Sequence, residues 1–333
     1  MRAVVLVGGF GTRLRPLTLT VPKPMLPIGH VPMIARLVDR LGRGGVTDVV
    51  LALGFRPEPF REAFPDGRCG DVALAYAVEP EPLDTAGAIK FAADFAGIDD
   101  TFVVANGDVM TDLNVSELVA AHRSFGAEAT LHLIGVDDPS AFGVVDLGDD
   151  GRVHAFVEKP APGTEPSNLI NAGTYVFEPS VLDRIPAATK VSVERDTFQR
   201  IVADGGLYGL ATDDYWIDAG VPALYRAANL DLLDGKRRSE HAEGVAASAD
   251  VADDVTLVHS IVGDGVSIAT GATVVDSVLL PGATVAAGAT VERSLVMGVV
   301  GANAVVRDAM IGADGAVAAG GTLLDATEPP TDS

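Results

Sequence analysis

Leu6-Val7-Gly8-Gly9-Phe10-Gly11-Thr12-Arg13-Leu14-Arg15-Pro16-Leu17-Thr18, continuing to Pro22-Lys23-Pro24-Met25-Leu26-Pro27, follows an apolar run, Ala3 to Val7, with the composition of a buried strand. The strand empties into glycines, and Arg13, Arg15 and Lys23 arrive directly afterwards. Glycine lets the backbone approach a ligand and turn its N–H groups toward anionic oxygens, while guanidinium and ammonium groups supply charge. The stretch therefore reads as an anion cradle. It matches neither GxxxxGK[ST] nor GxGxxG, the two familiar phosphate loops.

The rest of the composition sharpens this. A chain of 333 residues, 48% of them hydrophobic, accommodates one large domain and a smaller one. The apolar run at the N-terminus breaks at Gly8, too short for a signal peptide, and no long apolar stretch follows, so a cytoplasmic protein is expected. Cys69 is the single cysteine and the six histidines lack ligand spacing, so a bound metal would be held by carboxylates. A net charge of −22 argues against nucleic acid or an anionic membrane as partner. In a chain with only five lysines, a loop carrying Arg13, Arg15 and Lys23 points to a small polyanion.

Apolar runs alternate with helical patterns through the first two thirds. Strands are expected near Ala3 to Val7, Asp48 to Leu53, Val72 to Val78, Phe102 to Ala105 and Thr130 to Ile134. Helical spacing links Met33, Ile34, Leu37, Val38 and Leu41, and again Ala86 to Phe95. This is the α/β pattern of a mostly parallel sheet, in which ligands bind beyond the carboxyl ends of strands. The opening loop and Asn106-Gly107-Asp108 both lie at such ends.

After Gly235 the pattern changes. Val262, Ile268 and Val274 are six apart, as are Leu279, Val285 and Val291, then Val300 and Val306, then Ile311, Val317 and Leu323. One inward aliphatic per six residues is the signature of a β-helix. The expected domains are 1–235, a linker 236–248, hexapeptide repeats 249–325, and a frayed tail 326–333.

GGFGTRLRPLT with PKPMLP, NGDV, AFGVV, FVEKP, INAGTYVF, SVERDTF and YWIDAG occur in the order found in the sugar-1-phosphate nucleotidyltransferases. The chain resembles that family over about Met1 to Leu233, and among its members is most similar to the mannose-1-phosphate guanylyltransferases, or GDP-mannose pyrophosphorylases. The resemblance implies a Rossmann-like nucleotidyltransferase domain with a mostly parallel mixed sheet, and matches the repeats to a left-handed β-helix. It implies GTP and α-D-mannose 1-phosphate as substrates, GDP-mannose and pyrophosphate as products, and Mg²⁺ as cofactor. A homo-oligomer, formed through the β-helix or the catalytic domain, is expected.

Nucleotidyl transfer needs positioning and charge neutralisation more than covalent help. The Leu6, Gly8, Gly9, Gly11 and Thr12 backbone with Arg13 suits a triphosphate, and Lys23 suits the charge that develops on it. Arg15 either contacts ligand or braces the loop. Asp108 and Asp218 match the family's metal-binding aspartates, and Mg²⁺ prefers such oxygen ligands while keeping several waters. Arg13, Lys23, Asp108 and Asp218 are thus the expected catalytic set. Gly143, Glu158, Lys159 and Asn171 match its sugar-phosphate contacts. Glu79 stands where relatives acting on pyrimidine nucleotides commonly carry Gln; a carboxylate can accept both donors of guanine's pairing edge. Gly87 is a further nucleotide-contact candidate. Asp84 departs from the guanylyltransferase pattern, which usually has Gly there, although Asp tolerates the left-handed region better than most residues.

Three other readings stay open at this point. One is a glucose-1-phosphate nucleotidyltransferase using dTTP, UTP or ATP. Another is a non-catalytic regulatory subunit that binds nucleotide sugar. The third is an acyltransferase built on the repeats, for which His259 is the single available base.

Overall fold

The computed structural model describes residues 1–54, 57–238 and 240–331. Two compact units emerge: Met1–Gly9 with Ile34–Trp216, and Phe10–Met33 with the chain from Ile217 onward. The division differs from the expected boundary at 235, because the segment carrying the signature loop belongs with the second unit.

In the first unit the chain alternates strand and helix. The order is β1 (Arg2–Leu6), α1 (Met33–Arg43), β2 (Asp48–Leu53), β3 (Val72–Val78), α2 (Asp84–Phe95), β4 (Phe102–Asn106), α3 (Val115–Phe125), β5 (Ala129–Gly135), β6 (Gly143–Leu147), β7 (Val153–Glu158), β8 (Leu169–Phe177), α4 (Phe198–Ala203) and β9 (Leu207–Thr212). Among the described residues these strands and the short edge strand Arg68–Cys69 form a ten-stranded sheet. Its path is β7-β6-β8-β4-β1-β2-β3 and then the edge, with β5 joined to β8 and β9. The β4-β1-β2-β3 half is parallel; β8 runs antiparallel to β4, β5 and β6. The sheet is mixed, as expected.

Local chemistry explains the elements. Val4, Val50, Val104 and Ala52 are buried on the parallel strands, whose near-continuous aliphatic runs suit a sheet covered on both faces. Helix α2 offers Ala86, Ala88, Ile89, Ala92 and Ala93 to the same core, and its alanines permit close approach to the sheet. Asn114 caps α3, its side chain accepting from the Ser116 N–H at 3.1 Å, and Gly126 closes the helix at φ 60°; such a cap stabilises by about 1 kcal/mol. Tyr175, Phe177, Phe198 and Phe156 pack with ring centroids between 5.3 and 6.1 Å apart.

The second unit is organised on α5 (Pro222–Leu233), which begins with proline where a missing N–H costs nothing. Its buried Tyr225 donates its hydroxyl to Pro27 O, and Asn229 Oδ1 accepts from the Gly29 N–H at 2.8 Å. These two side chains tie the end of the signature segment to the helix. Beyond it, three five-stranded parallel sheets form the faces of a β-helix. Of the aliphatics expected inward, Val262, Ile268, Val274, Leu279, Val285, Val291, Val300, Val306, Ile311 and Val317 are buried, and Leu323 in the last coil is half-buried. A face shorter than six residues recurs from coil to coil, as between Val274 and Leu279, and there Ser260, Ser277 and Ser294 stack. Each hydroxyl accepts a backbone N–H from the next coil at 3.1 Å.

The array also exceeds its expected bounds. Val245, in the expected linker, already bridges to Val262, and Thr327–Glu328, in the expected tail, pairs with Met310–Ile311. Ser239 of that linker and Asp332 and Ser333 of that tail lie outside the described residues. His259 is held between Asp276, at 2.6 Å, and Asp234, at 3.1 Å, a structural ion ladder that accounts for it without acyl transfer. No helix of the described residues is long and apolar enough to cross a membrane.

Candidate active site

Within the second unit the signature loop has the conformation its glycines imply. Gly11 sits at φ 58°, a region costly for residues with a Cβ. Its carbonyl accepts from the Thr18 hydroxyl at 2.8 Å and from the Leu14 N–H at 3.0 Å, which folds Thr12–Leu14 into a 3₁₀ turn. Thr12 and Arg13 are exposed. Gly220 then shows where the charges go. A Cβ on Gly220 would lie 2.7 Å from Asp218 Oδ1, 2.9 Å from Arg13 Nη2 and 2.9 Å from Lys23 Nζ. Three charged ends contributed by separate segments thus converge on one buried glycine, whose N–H, at 2.9 Å, orients the Asp218 oxygen. Two cations and a carboxylate oxygen gathered this way suit phosphate oxygens and a hard divalent cation.

The first unit holds the remaining candidates. Gly8 and Gly9 are exposed at the end of β1, with Gly9 at φ 105°. Leu6 closes that strand opposite Asn106, and its carbonyl accepts from the Gly107 N–H at 2.8 Å. A Cβ at Gly107 would lie 2.7 Å from Val7 Cγ1, so only glycine fits, and it delivers the half-buried Asp108 beside the strand end. Among the described residues no group of three or more His, Cys, Asp or Glu side chains forms a cage. A metal here would draw on few carboxylates and on substrate oxygens, as Mg²⁺ commonly does.

Glu79 is only 7% exposed. Its Oε2 accepts from the Leu83 N–H at 2.9 Å, and Oε1 would be 3.9 Å from a Cβ on Gly8. Burial raises its pKa above the usual carboxylate value, partly offset by the Leu83 bond. The residue both shapes the 79–83 turn and faces Gly8. Asp84 adopts φ 61°, the left-handed conformation, and its carboxylate accepts from the Thr85 N–H at 2.8 Å; the departure from Gly is absorbed by the side chain best able to do so. At Gly87 a Cβ would meet Thr189 O at 2.6 Å, so this glycine serves close chain approach within the fold.

The sugar-phosphate candidates gather on β6, β7 and β8. Gly143 pairs with Glu158 across the β6-β7 ladder. A Cβ there would lie 2.4 Å from Phe156 Cζ and 3.0 Å from Glu158 Oε2. Burial and then Glu194 push the Glu158 pKa up, while Lys159 and Arg195 pull it down. Lys159 is exposed at φ 50°, its N–H bonded to Phe142 O at 2.9 Å; a positive φ at a residue with a side chain is strain of the sort stored at ligand sites. Asn171 donates to the Tyr175 hydroxyl at 2.9 Å and accepts from the Gly173 N–H at 3.1 Å. The buried Tyr175 phenol is held protonated by burial first, and then by Glu194, Glu158 and Asp108. Asn171 thus bonds the hydroxyl on which these three carboxylate charges act.

Sequence reasoning did not nominate Tyr175, Glu194 or Trp216, whose indole donates to Ala172 O at 2.9 Å. All three lie inside quoted motifs, yet residue type alone gave them no chemistry distinct from packing.

Residues 2–235 match the nucleotidyl transferase family model, and residues 242–324 match the GlmU-like C-terminal hexapeptide model. The chain belongs to the nucleotidyl transferase family and carries a C-terminal left-handed β-helix. Within it the chain is similar to mannose-1-phosphate guanylyltransferases. It is 44% identical over 237 residues to that of Mycobacterium tuberculosis (strain ATCC 25618 / H37Rv), 70% of this chain and 65% of the relative. It is 40% identical over 262 residues to the enzyme of Schizosaccharomyces pombe (strain 972 / ATCC 24843), 77% and 71% respectively. The chain thus spans just under two thirds of the mycobacterial relative's length. Among solved structures it is similar to one described as a glucose-1-phosphate thymidylyltransferase from Bacillus anthracis in complex with a sucrose (TM-score 0.63, 26% identity, 69% of this chain and 94% of that one). HddC from Yersinia pseudotuberculosis complexed with GMP-PN is similar too (TM-score 0.58, 28% identity, 68% and 97%).

Proposed function

We propose that this enzyme transfers GMP from GTP to α-D-mannose 1-phosphate, giving GDP-mannose and pyrophosphate. The observation that carries the reading is the convergence of Arg13 Nη2, Lys23 Nζ and Asp218 Oδ1 on Gly220. A sugar-phosphate oxygen attacks the α-phosphorus and pyrophosphate leaves in line. Arg13 and the loop N–H groups bind the triphosphate, and Lys23 neutralises charge as the bond to pyrophosphate breaks. Glu158 accepts hydrogen bonds from sugar hydroxyls, Asn171 and the Gly143 backbone orient the ring, and Lys159 binds the sugar's phosphate. Asp108 and Asp218 offer the oxygen donors Mg²⁺ requires, and the ion, when bound, supplies Lewis acidity to phosphoryl oxygens. Base choice falls to Glu79, supported by the guanylyltransferase relatives and by its buried carboxylate. The enzyme acts in the cytoplasm as a homo-oligomer in this reading.

The likeness to a thymidylyltransferase structure keeps glucose 1-phosphate with another triphosphate as the second reading. Pyrophosphate release over four triphosphates, each crossed with mannose and glucose 1-phosphates, separates the two. Highest kcat/KM for GTP with mannose 1-phosphate is expected. A preference for another pair overturns the substrate assignment.

A further inference from the structure

The base-side turn and the sugar-side strands of the first unit are buckled together by a short segment to which no role in the reaction has been given. Val191 N–H donates to Leu83 O at 3.0 Å, Ala86 N–H to Val191 O at 2.9 Å, and Val193 N–H to Thr85 Oγ1 at 2.8 Å. The Thr85 hydroxyl then donates to Glu194 Oε2 at 2.8 Å, and the Ser192 hydroxyl donates to the same oxygen at 2.7 Å. One carboxylate oxygen therefore receives both hydroxyls and closes the ring of contacts around residues 83–87. Glu194 stands in a single π-helical turn, Val193–Thr197, that leads into α4; such turns recur at functional sites. From there the Glu194 charge acts on Glu158 and on Tyr175, the hydroxyl bound to Asn171.

We infer that Glu194 is a positioning residue that couples the two substrate subsites: its Oε2 locks the 83–87 turn through Thr85 and Ser192, while its backbone carbonyl accepts from Gln199 Nε2 at 3.1 Å, the same nitrogen that donates at 2.9 Å to Phe156 O on the strand carrying Glu158. The inference rests on the reading of Glu79–Gly87 as the nucleotide side and Glu158 as the sugar side. Hydroxyl-to-carboxylate bonds are stronger than neutral ones, so losing both releases a turn that already holds Asp84 at φ 61°. A Gln at 194 can place its one carbonyl oxygen where Oε2 lies and keep both hydroxyl partners. An Ala cannot.

The test compares wild type, Glu194→Ala and Glu194→Gln by hydrogen exchange on the unliganded chain and by steady-state kinetics with the pair that the wild type turns over best. Faster amide exchange in residues 83–87 and 191–194 is expected for Glu194→Ala, with exchange in β1 and β4 unchanged. A loss of about 10- to 100-fold in kcat/KM is expected for the same variant, the range for charge-assisted bonds. In Glu194→Gln both readouts return close to wild type. Wild-type exchange at residues 83–87 in Glu194→Ala overturns the inference, as does a Glu194→Gln no better than the Ala variant. The exchange arm needs no substrate, so a mistaken substrate assignment shows up in the wild-type preference alone and leaves this result readable.

Discussion

Substituting Gly143 tests how the core and the sugar side depend on each other. In Gly143→Ala the new methyl would lie 2.4 Å from Phe156 Cζ, whereas carbon atoms prefer about 3.5–4.0 Å. The ring would have to retreat by about 1 Å. Behind it stands Phe198, 5.3 Å away between centroids and fully buried, and the Phe156 carbonyl is pinned by Gln199 Nε2 at 2.9 Å. Overpacking of this kind costs about 1–3 kcal/mol, which for a unit of this size lowers Tm by about 3–10 °C. The methyl would also lie 3.0 Å from Glu158 Oε2, displacing the carboxylate assigned to sugar hydroxyls. Loss of one charge-assisted bond raises KM for the sugar phosphate about 10-fold or more, with KM for the triphosphate little changed. Calorimetry and initial rates read the two effects separately. Adding Phe156→Leu makes room for the methyl and recovers part of the Tm without restoring KM. An unchanged Tm refutes the packing argument, and equal changes in both KM values refute the assignment of Glu158 to the sugar.

Asp108→Asn and Asp218→Asn each remove most turnover at unchanged far-UV circular dichroism; near-normal rates in both would sink the carboxylate assignment. Glu79→Gln keeps an oxygen for the Leu83 N–H, so the fold is retained while relative kcat/KM shifts away from GTP toward UTP or dTTP; an unchanged ratio removes Glu79 from base recognition. Asp276 first, then Asp234, raise the His259 pKa in the folded state. A raised folded-state pKa stabilises fully below the unfolded value, about 6.5, and the contribution is lost as pH rises through the folded pKa. The Tm difference between wild type and His259→Ala is therefore larger below that pH than well above it; a pH-independent difference contradicts the ladder. For Glu158, a Glu194→Gln variant lacks the charge that helps raise its pKa, so the acid limb of kcat/KM for the sugar phosphate moves to lower pH.

The sequence by itself determined the α/β class, the hexapeptide array and the loop with Arg13 and Lys23. The reason is that local periodicity and glycine placement are properties of neighbouring residues. Strand alternation, a six-residue aliphatic step and a left-handed glycine need no knowledge of distant chain. Asp84 was legible in the same way: an intrinsic backbone tolerance allowed φ 61° and the structure adopts it.

Tertiary structure decided what depends on through-space neighbours. Residues 10–33 join the second unit because Tyr225 and Asn229, some two hundred residues downstream, hold Pro27 and Gly29. Gly87 invited a ligand reading, yet the Thr189 carbonyl is what lies against it, from a segment no periodicity could align. Glu194 carried no signal because Glu beside Arg and Asp usually marks a solvated face. Only folding brings Thr85 to its carboxylate beside the Ser192 hydroxyl, and a half-buried charge acquires a function from the partners that bond it.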